Sequence, residues 1–137
     1  IQLLKKILEN KVKNYLKEFS TSNEGFIINW PKNFKIYGWL VSINSGGKLS
    51  AHIHKEGWLS GSLYFKMPSK KTKNEGNIVF SLDGANYPTD GKKFDKKSVD
   101  VNKGDLVLFP SSLFHHTIPF KSNEERFTFA FDIIPQN

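Results

Sequence analysis

The chain has no cysteine among its 137 residues. That excludes a disulfide scaffold and a thiolate zinc site, and it fits a reducing compartment, so a cytoplasmic location is expected. No apolar run approaches the roughly 20 residues that a membrane-spanning helix needs, so no membrane partner is expected. The first stretch, Ile1 to Phe19, carries lysines throughout, unlike the apolar core of a signal peptide. There is no internal repeat and no low-complexity tract. The chain opens on Ile rather than Met, from which we expect a fragment with a domain missing upstream.

What the chain has in excess is positive charge, with a formal net of +7. Clustered lysines can neutralise phosphates, which raises a nucleic-acid reading. The clusters, Lys66, Lys70, Lys71 and Lys73, then Lys92, Lys93, Lys96 and Lys97, lie in Pro-, Ser-, Gly- and Asp-containing stretches that read as exposed loops. No recognition helix, zinc finger or RNA-binding aromatic signature accompanies them. We therefore expect solvated loop charge and no nucleic-acid partner.

From Gln2 to Phe19 the apolar residues Leu3, Leu4, Ile7, Leu8, Val12, Tyr15, Leu16 and Phe19 recur at helical spacing. This predicts an amphipathic helix packed outside a sheet. Ser20 to Gly25 breaks the pattern, and Trp30-Pro31 marks a turn or edge. After Asn33 the chain changes to short aromatic and β-branched runs. Strands are predicted near Phe34–Ile43, Leu49–His54, Ser60–Met67, Gly76–Leu82, Ser98–Val101, Asp105–Phe109, His115–Ile118 and Arg126–Ile134. Short strands punctuated by Gly, Pro, Asn and Ser indicate an all-β barrel or jelly roll. The expected organisation is a single domain over 1–137, with a helix at about 2–19 and a barrel at about 34–134; at this length it buries a core without a staple.

Alternation within the strands says which face is wet. Ser50, His52 and His54 share one face. Ser60, Ser62, Tyr64 and Lys66 share another, as do Arg126, Thr128, Ala130 and Asp132, the last set opposing Phe127, Phe129, Phe131 and Ile133. Small polar and aromatic residues, rather than flexible Lys and Glu, dominate these faces. We expect them to line a barrel interior while the apolar faces pack against the second sheet or the helix.

His52-Ile53-His54 is the stretch that carries chemistry. On a strand its two imidazoles point the same way, with Cβ atoms roughly 6.6 Å apart. A third ligand is available at His115; His116 should face the opposite way and is the alternative there. Three such side chains suit a divalent transition metal such as Fe(II). A lone strand histidine is usually a satisfied structural residue. Arg126 follows His115 by eleven positions (126 − 115 = 11), and its bland reading is a surface ion pair with Glu124 or Glu125.

Two families resemble this arrangement, both on a double-stranded β-helix. Gly46, five residues, then His52-x-His54 copies the front of the first cupin motif, with Glu56 nearer than the usual glutamate. Gly104, five residues, Pro110-x-Ser112, two residues, then His115 resembles the second, with Ser112 in place of glycine. The run from His52 through Trp58, Ser60, Gly61, Tyr64 and Pro68, the run Gly104 to His115, and then Arg126 and Phe131-Asp132 resemble the 2-oxoglutarate/Fe(II)-dependent oxygenase domains of bacteria and phages. That similarity extends from about Tyr37 to Asp132. Such domains sometimes follow tetratricopeptide repeats, which would suit the expected upstream domain.

This second resemblance implies iron held by His52 and His115, and 2-oxoglutarate held by a salt bridge from Arg126 to its distal carboxylate. A guanidinium can grip a carboxylate bidentately in a fixed plane. Tyr64 and Thr128 could add hydroxyl donors to the same carboxylate. The family's usual ligand pair is His-x-Asp/Glu, and two registers are open here. His52-x-His54 gives three histidines with His115; His54-x-Glu56 restores a carboxylate. We expect His52, His54 and His115, with Glu56 behind a ligand or as the alternative ligand. The implied activity is hydroxylation of a small-molecule or peptide substrate. The other readings are a cupin-type three-histidine metalloenzyme without 2-oxoglutarate and a non-catalytic small-ligand barrel. Trp58 and Trp39 are candidates for the mouth, and Ser60-Gly61-Ser62 for a close approach of cosubstrate or a bulge.

Overall fold

The computed structural model describes residues 1–137. Helix α1, Gln2–Glu18, starts without a side-chain cap and closes at Phe19, with a four-residue helix α2, Gly25–Ile28, after it. Seven strands follow: β1 Phe34–Ile43, β2 Leu59–Lys66, β3 Ile78–Ser81, β4 Lys97–Val99, β5 Leu106–Pro110, β6 Phe114–Thr117 and β7 Arg126–Pro135. All pairings are antiparallel, in a four-stranded sheet of order β1-β7-β2-β5 and a three-stranded sheet of order β4-β3-β6.

One predicted strand is not formed. Leu49–His54 has no regular ladder; its only bridge joins His52 to His115. The segment is nevertheless extended along the free edge of β6. Thr117 N–H donates to the Leu49 carbonyl at 3.3 Å, His52 and His115 exchange two bonds of 3.1 Å, and His54 N–H donates to the Ser111 carbonyl at 3.0 Å. It stands where a fourth strand of the smaller sheet would, completing the double-stranded β-helix. The chain reaches it through the turn Asn44 to Gly47, closed by Gly47 N–H on the Asn44 carbonyl at 2.9 Å. Gly46 holds φ +74° there, a conformation that glycine adopts without a Cβ penalty.

The alternation works as expected on β7 and on β2 as far as Tyr64; the register shift that follows leaves Lys66 exposed beside Glu125, and Ser50 is exposed as well. Arg126, Thr128, Ala130 and Asp132 are buried between the sheets, while Phe131 and Ile133 are buried on the other side of β7. That outer face meets Leu8 and Val12 of α1 and Leu59 in one apolar cluster. Each fully buried aliphatic side chain there contributes about 1.5–3 kcal/mol. The helix-spaced Leu3 and Ile7 remain exposed, because the packed stripe runs through Leu4, Leu8, Val12 and Tyr15 instead. A second cluster of Tyr64, Ile78, Phe80, Val101 and Phe109 fills one end of the space between the sheets. The other end stays open.

Trp58 belongs to the outside, not to the mouth. Its ring stacks on Phe26 at 5.7 Å and its indole N–H donates to the Phe26 carbonyl at 3.2 Å, pinning α2 to the larger sheet. Ser60-Gly61-Ser62 is not a bulge either; the register shift falls between Tyr64 and Lys66. A Cβ on Gly61 would lie 2.4 Å from the Phe131 ring, so this glycine makes room on the helix side of the sheet.

Candidate metal centre and anion site

His52, His54 and His115 converge. Their candidate ligand atoms all lie within 4.8 Å of one another. The ring centroids are 5.2 Å apart for His52 and His54, 4.3 Å for His52 and His115, and 5.0 Å for His54 and His115. The loss of a formal strand at 49–54 does not disturb this, because the His52–His115 bridge fixes the two backbones opposite one another.

Each imidazole has an acceptor on Nδ1. His52 donates to the Ser50 carbonyl at 2.7 Å and His115 to the Leu113 carbonyl at 3.1 Å. His54 donates to Asp132 Oδ1 at 2.7 Å. Carbonyl and carboxylate oxygens only accept, so the proton sits on Nδ1 and the lone pair on Nε2 in all three rings. Three imidazoles grouped this closely, each with one ring nitrogen free, offer the donor chemistry of a divalent transition metal. Burial pushes His115 down from its ordinary value of 6.5 to about 4, with Phe80 and Phe109 packed against its ring. At neutral pH no proton competes with metal there.

Glu56 is exposed in the turn after His54 and stands outside the cluster. His116 faces away from it, half-buried opposite Val79. The sequence places Asp132 and Ser60 on polar faces, but it gives Asp132 no task and reads Ser60 only as part of a close approach or a bulge. In the structure Ser60 Oγ donates to Asp132 Oδ1 at 2.6 Å and lies 2.8 Å from Ser111 Oγ, and Ser60, Ser111 and Asp132 are all buried. Ser60 and Asp132 are directly opposite in the β2–β7 register, a pairing between residues 72 apart in sequence.

From the histidines a cavity of about 50 Å³, room for roughly three or four waters, runs between the sheets. Trp39, Val41, Ser62, Thr117, Thr128 and Ala130 line it, and Arg126 lies at the far end. Trp39 is 41% exposed with its ring 5.5 Å from His54, which puts it at the mouth. Arg126 is 3% exposed and makes no ion pair. The expected surface partners are engaged elsewhere: Glu125 with Ser42 and Lys66, Glu124 with the Ser69 backbone. Only Nε of Arg126 donates, to the Gly76 carbonyl at 3.3 Å, and the guanidinium lies 5.0 Å from the centroid of the Tyr64 ring. Burial lowers Arg126 from its ordinary value and raises Tyr64. The buried Tyr64 hydroxyl has Arg126 and Ser62 as polar neighbours, but neither meets it in full hydrogen-bond geometry.

A buried cation with free donors beside an orphaned hydroxyl is costly unless an anion completes it. Arg126, Tyr64 and Thr128 therefore fit a carboxylate, and the three histidines fit a metal. Both halves of an iron and 2-oxo-acid site have residues suited to them within one barrel.

Solved structures with the same fold include a prolyl-4-hydroxylase from Pseudomonas putida, at TM-score 0.55 and 18% identity over 81% of this chain and 56% of that one. An oxidoreductase of the 2OG-Fe(II) oxygenase family from Burkholderia pseudomallei superposes at TM-score 0.58, with 11% identity over 82% of this chain and 49% of that one. Iron-bound HygX from Streptomyces hygroscopicus gives TM-score 0.59 and 14% identity over 76% of this chain and 59% of its own. The chain thus spans about half to three-fifths of the length of these relatives. No curated protein matches the sequence. The family model described as "Putative 2OG-Fe(II) oxygenase" matches residues 37–132, from the strand that carries Trp39 to Asp132, and the chain belongs to that family.

Proposed function

We propose that the chain is the catalytic domain of a non-haem Fe(II)/2-oxoglutarate-dependent oxygenase that hydroxylates a small-molecule or peptide substrate. The observation that carries this reading is the buried, unpaired Arg126 at the end of a cavity that begins at three histidines. His52, His54 and His115 would hold the iron through Nε2. Arg126 would bind the distal carboxylate of 2-oxoglutarate, with hydroxyl donation from Tyr64 and Thr128. Together, iron and 2-oxoglutarate supply the chemistry: O₂ and the 2-oxo acid are converted to succinate and CO₂ while a substrate C–H bond becomes C–OH. The chain's own residues position and exclude. Phe80 and Phe109 pack against the ring of His115 and keep water from it, and the small side chain of Ala130 lines the cavity. A reducing cytoplasm, where iron stays ferrous, suits such a protein.

Calorimetric titration of 2-oxoglutarate into Mn(II)-loaded protein tests this. Wild type should bind it, and Arg126→Ala should weaken binding at least about 100-fold, the loss of a bidentate charged pair. Equal affinity in the two proteins would overturn the reading. A three-histidine enzyme without 2-oxoglutarate is favoured by one observation, the absence of a carboxylate from the ligand cluster. It leaves the burial of Arg126 without a purpose, and it expects no 2-oxoglutarate binding in either protein.

A further inference from the structure

The interior face of β7 carries two lone charges at opposite ends. Arg126 stands at one, and Asp132, 7% exposed, at the other. Asp132 has no Lys or Arg partner; its contacts are the His54 Nδ1–H and the Ser60 hydroxyl. Ser111 sets the Ser60 hydroxyl in turn, and Gly57 closes over the group, where a Cβ would lie 2.5 Å from Ser111 Oγ and 3.2 Å from Asp132 Cγ. Ser60, braced by Ser111 and covered by Gly57, thus holds one carboxylate oxygen against the back of one imidazole. The other two histidines are backed by neutral carbonyls.

We propose that Asp132 is the positioning carboxylate of the metal centre: it fixes His54 in the Nδ1–H tautomer, aims its Nε2 at the metal, and supplies through the imidazole the negative charge that the ligand set lacks. The proposal rests on His54 being a ligand, as in the reading above. A carboxylate behind a ligating imidazole raises its basicity and locks its orientation, and its loss typically costs 10- to 100-fold in metal affinity. Ser60 and Ser111 act one step further out, by holding Asp132 still.

The test is the anaerobic Fe(II) affinity of the full chain, measured by competition with a chromophoric chelator. Asp132→Asn keeps an accepting oxygen and removes the charge, and should weaken Fe(II) binding about 10- to 100-fold. In a His54→Ala background the same change should do nothing, because Asp132 acts through His54. Ser60→Ala should weaken binding less than Asp132→Asn. The ¹⁵N shifts of His54 in metal-free wild type need no variant: they should report a proton on Nδ1. Unchanged affinity in Asp132→Asn, an equal loss in the His54→Ala background, or a proton on Nε2 of His54 would each overturn the proposal. Wild type that binds no Fe(II) would overturn it together with the metal reading, whereas wild-type binding matched by Asp132→Asn would overturn the proposal alone.

Discussion

Tyr64 is the residue where packing and function make opposite demands. Its ring is fully buried in the cluster that closes the barrel, yet its hydroxyl has no partner there. A buried unsatisfied hydroxyl costs about 1–3 kcal/mol, so a fold tuned for stability alone would place phenylalanine at this position. Tyr64→Phe should therefore leave the urea midpoint of the metal-free protein unchanged or raised. The same change should weaken 2-oxoglutarate binding about tenfold or more, the worth of a hydrogen bond to a charged group. A lowered midpoint with unaltered binding would make the hydroxyl structural. The sequence put Tyr64, Thr128 and Arg126 on polar strand faces because alternation is a local property. It could not show that Glu124 and Glu125 find partners elsewhere and leave Arg126 alone, since those contacts depend on Ser42 and Ser69, far away in the chain.

Strand β7 is the element on which the site and the core are both hung. One face holds Arg126, Thr128, Ala130 and Asp132 toward the cavity, and the other presses Phe131 and Ile133 against α1. Its register with β2 sets both, so a disturbance on the helix side should cost stability before it costs the site. Gly61 offers that disturbance: a Cβ there would meet the immobile Phe131 ring at 2.4 Å and Leu108 at 2.9 Å. Gly61→Ala should destabilise the fold by about 1–3 kcal/mol in urea unfolding, as overpacking does. The molecules that remain folded should keep wild-type Fe(II) affinity. Seven of the predicted strands were legible because β-branched and aromatic runs bounded by turn residues, with alternation in β2 and β7, are local signals. The segment 49–54 was legible as an extended chain but not as a hydrogen-bonded strand, because its pairing with β6 is made at alternate residues and only on one side. The link from Ser60 to Asp132 was illegible for a different reason, the cross-strand register that joins β2 to β7.

For the whole molecule, burial holds His115 neutral in the folded barrel, so the metal-free chain should be sensitive to acid. His115 is pushed from 6.5 to about 4 in the folded chain. Between those values the unfolded chain binds a proton that the folded one does not, so stability is complete above about pH 6.5 and falls as the pH drops toward 4. Urea midpoints measured in chelator should fall from pH 7 to pH 5 by an amount on the order of 2 kcal/mol in unfolding free energy. The part due to His115 should vanish in His115→Gln. No helix is long and apolar enough to cross a membrane, and the lysine clusters lie mostly in the loops before β3 and β4, as their composition suggested. The barrel itself was legible as a whole from its punctuation and from the two histidine motifs. Which end is filled and which stays open was not, because that depends on Tyr64, Phe80, Val101 and Phe109 meeting from four parts of the chain.

In the function proposed above, one barrel would hold iron at His52, His54 and His115 and a 2-oxo acid between that iron and Arg126. Anaerobic titration of the chain with Fe(II) and then 2-oxoglutarate, followed in the visible region, tests both halves at once. A weak metal-to-ligand charge-transfer band should appear on adding 2-oxoglutarate to the iron-loaded protein and should be absent in Arg126→Ala at the same concentrations. Stoichiometric iron binding with no band at saturating 2-oxoglutarate would contradict the account.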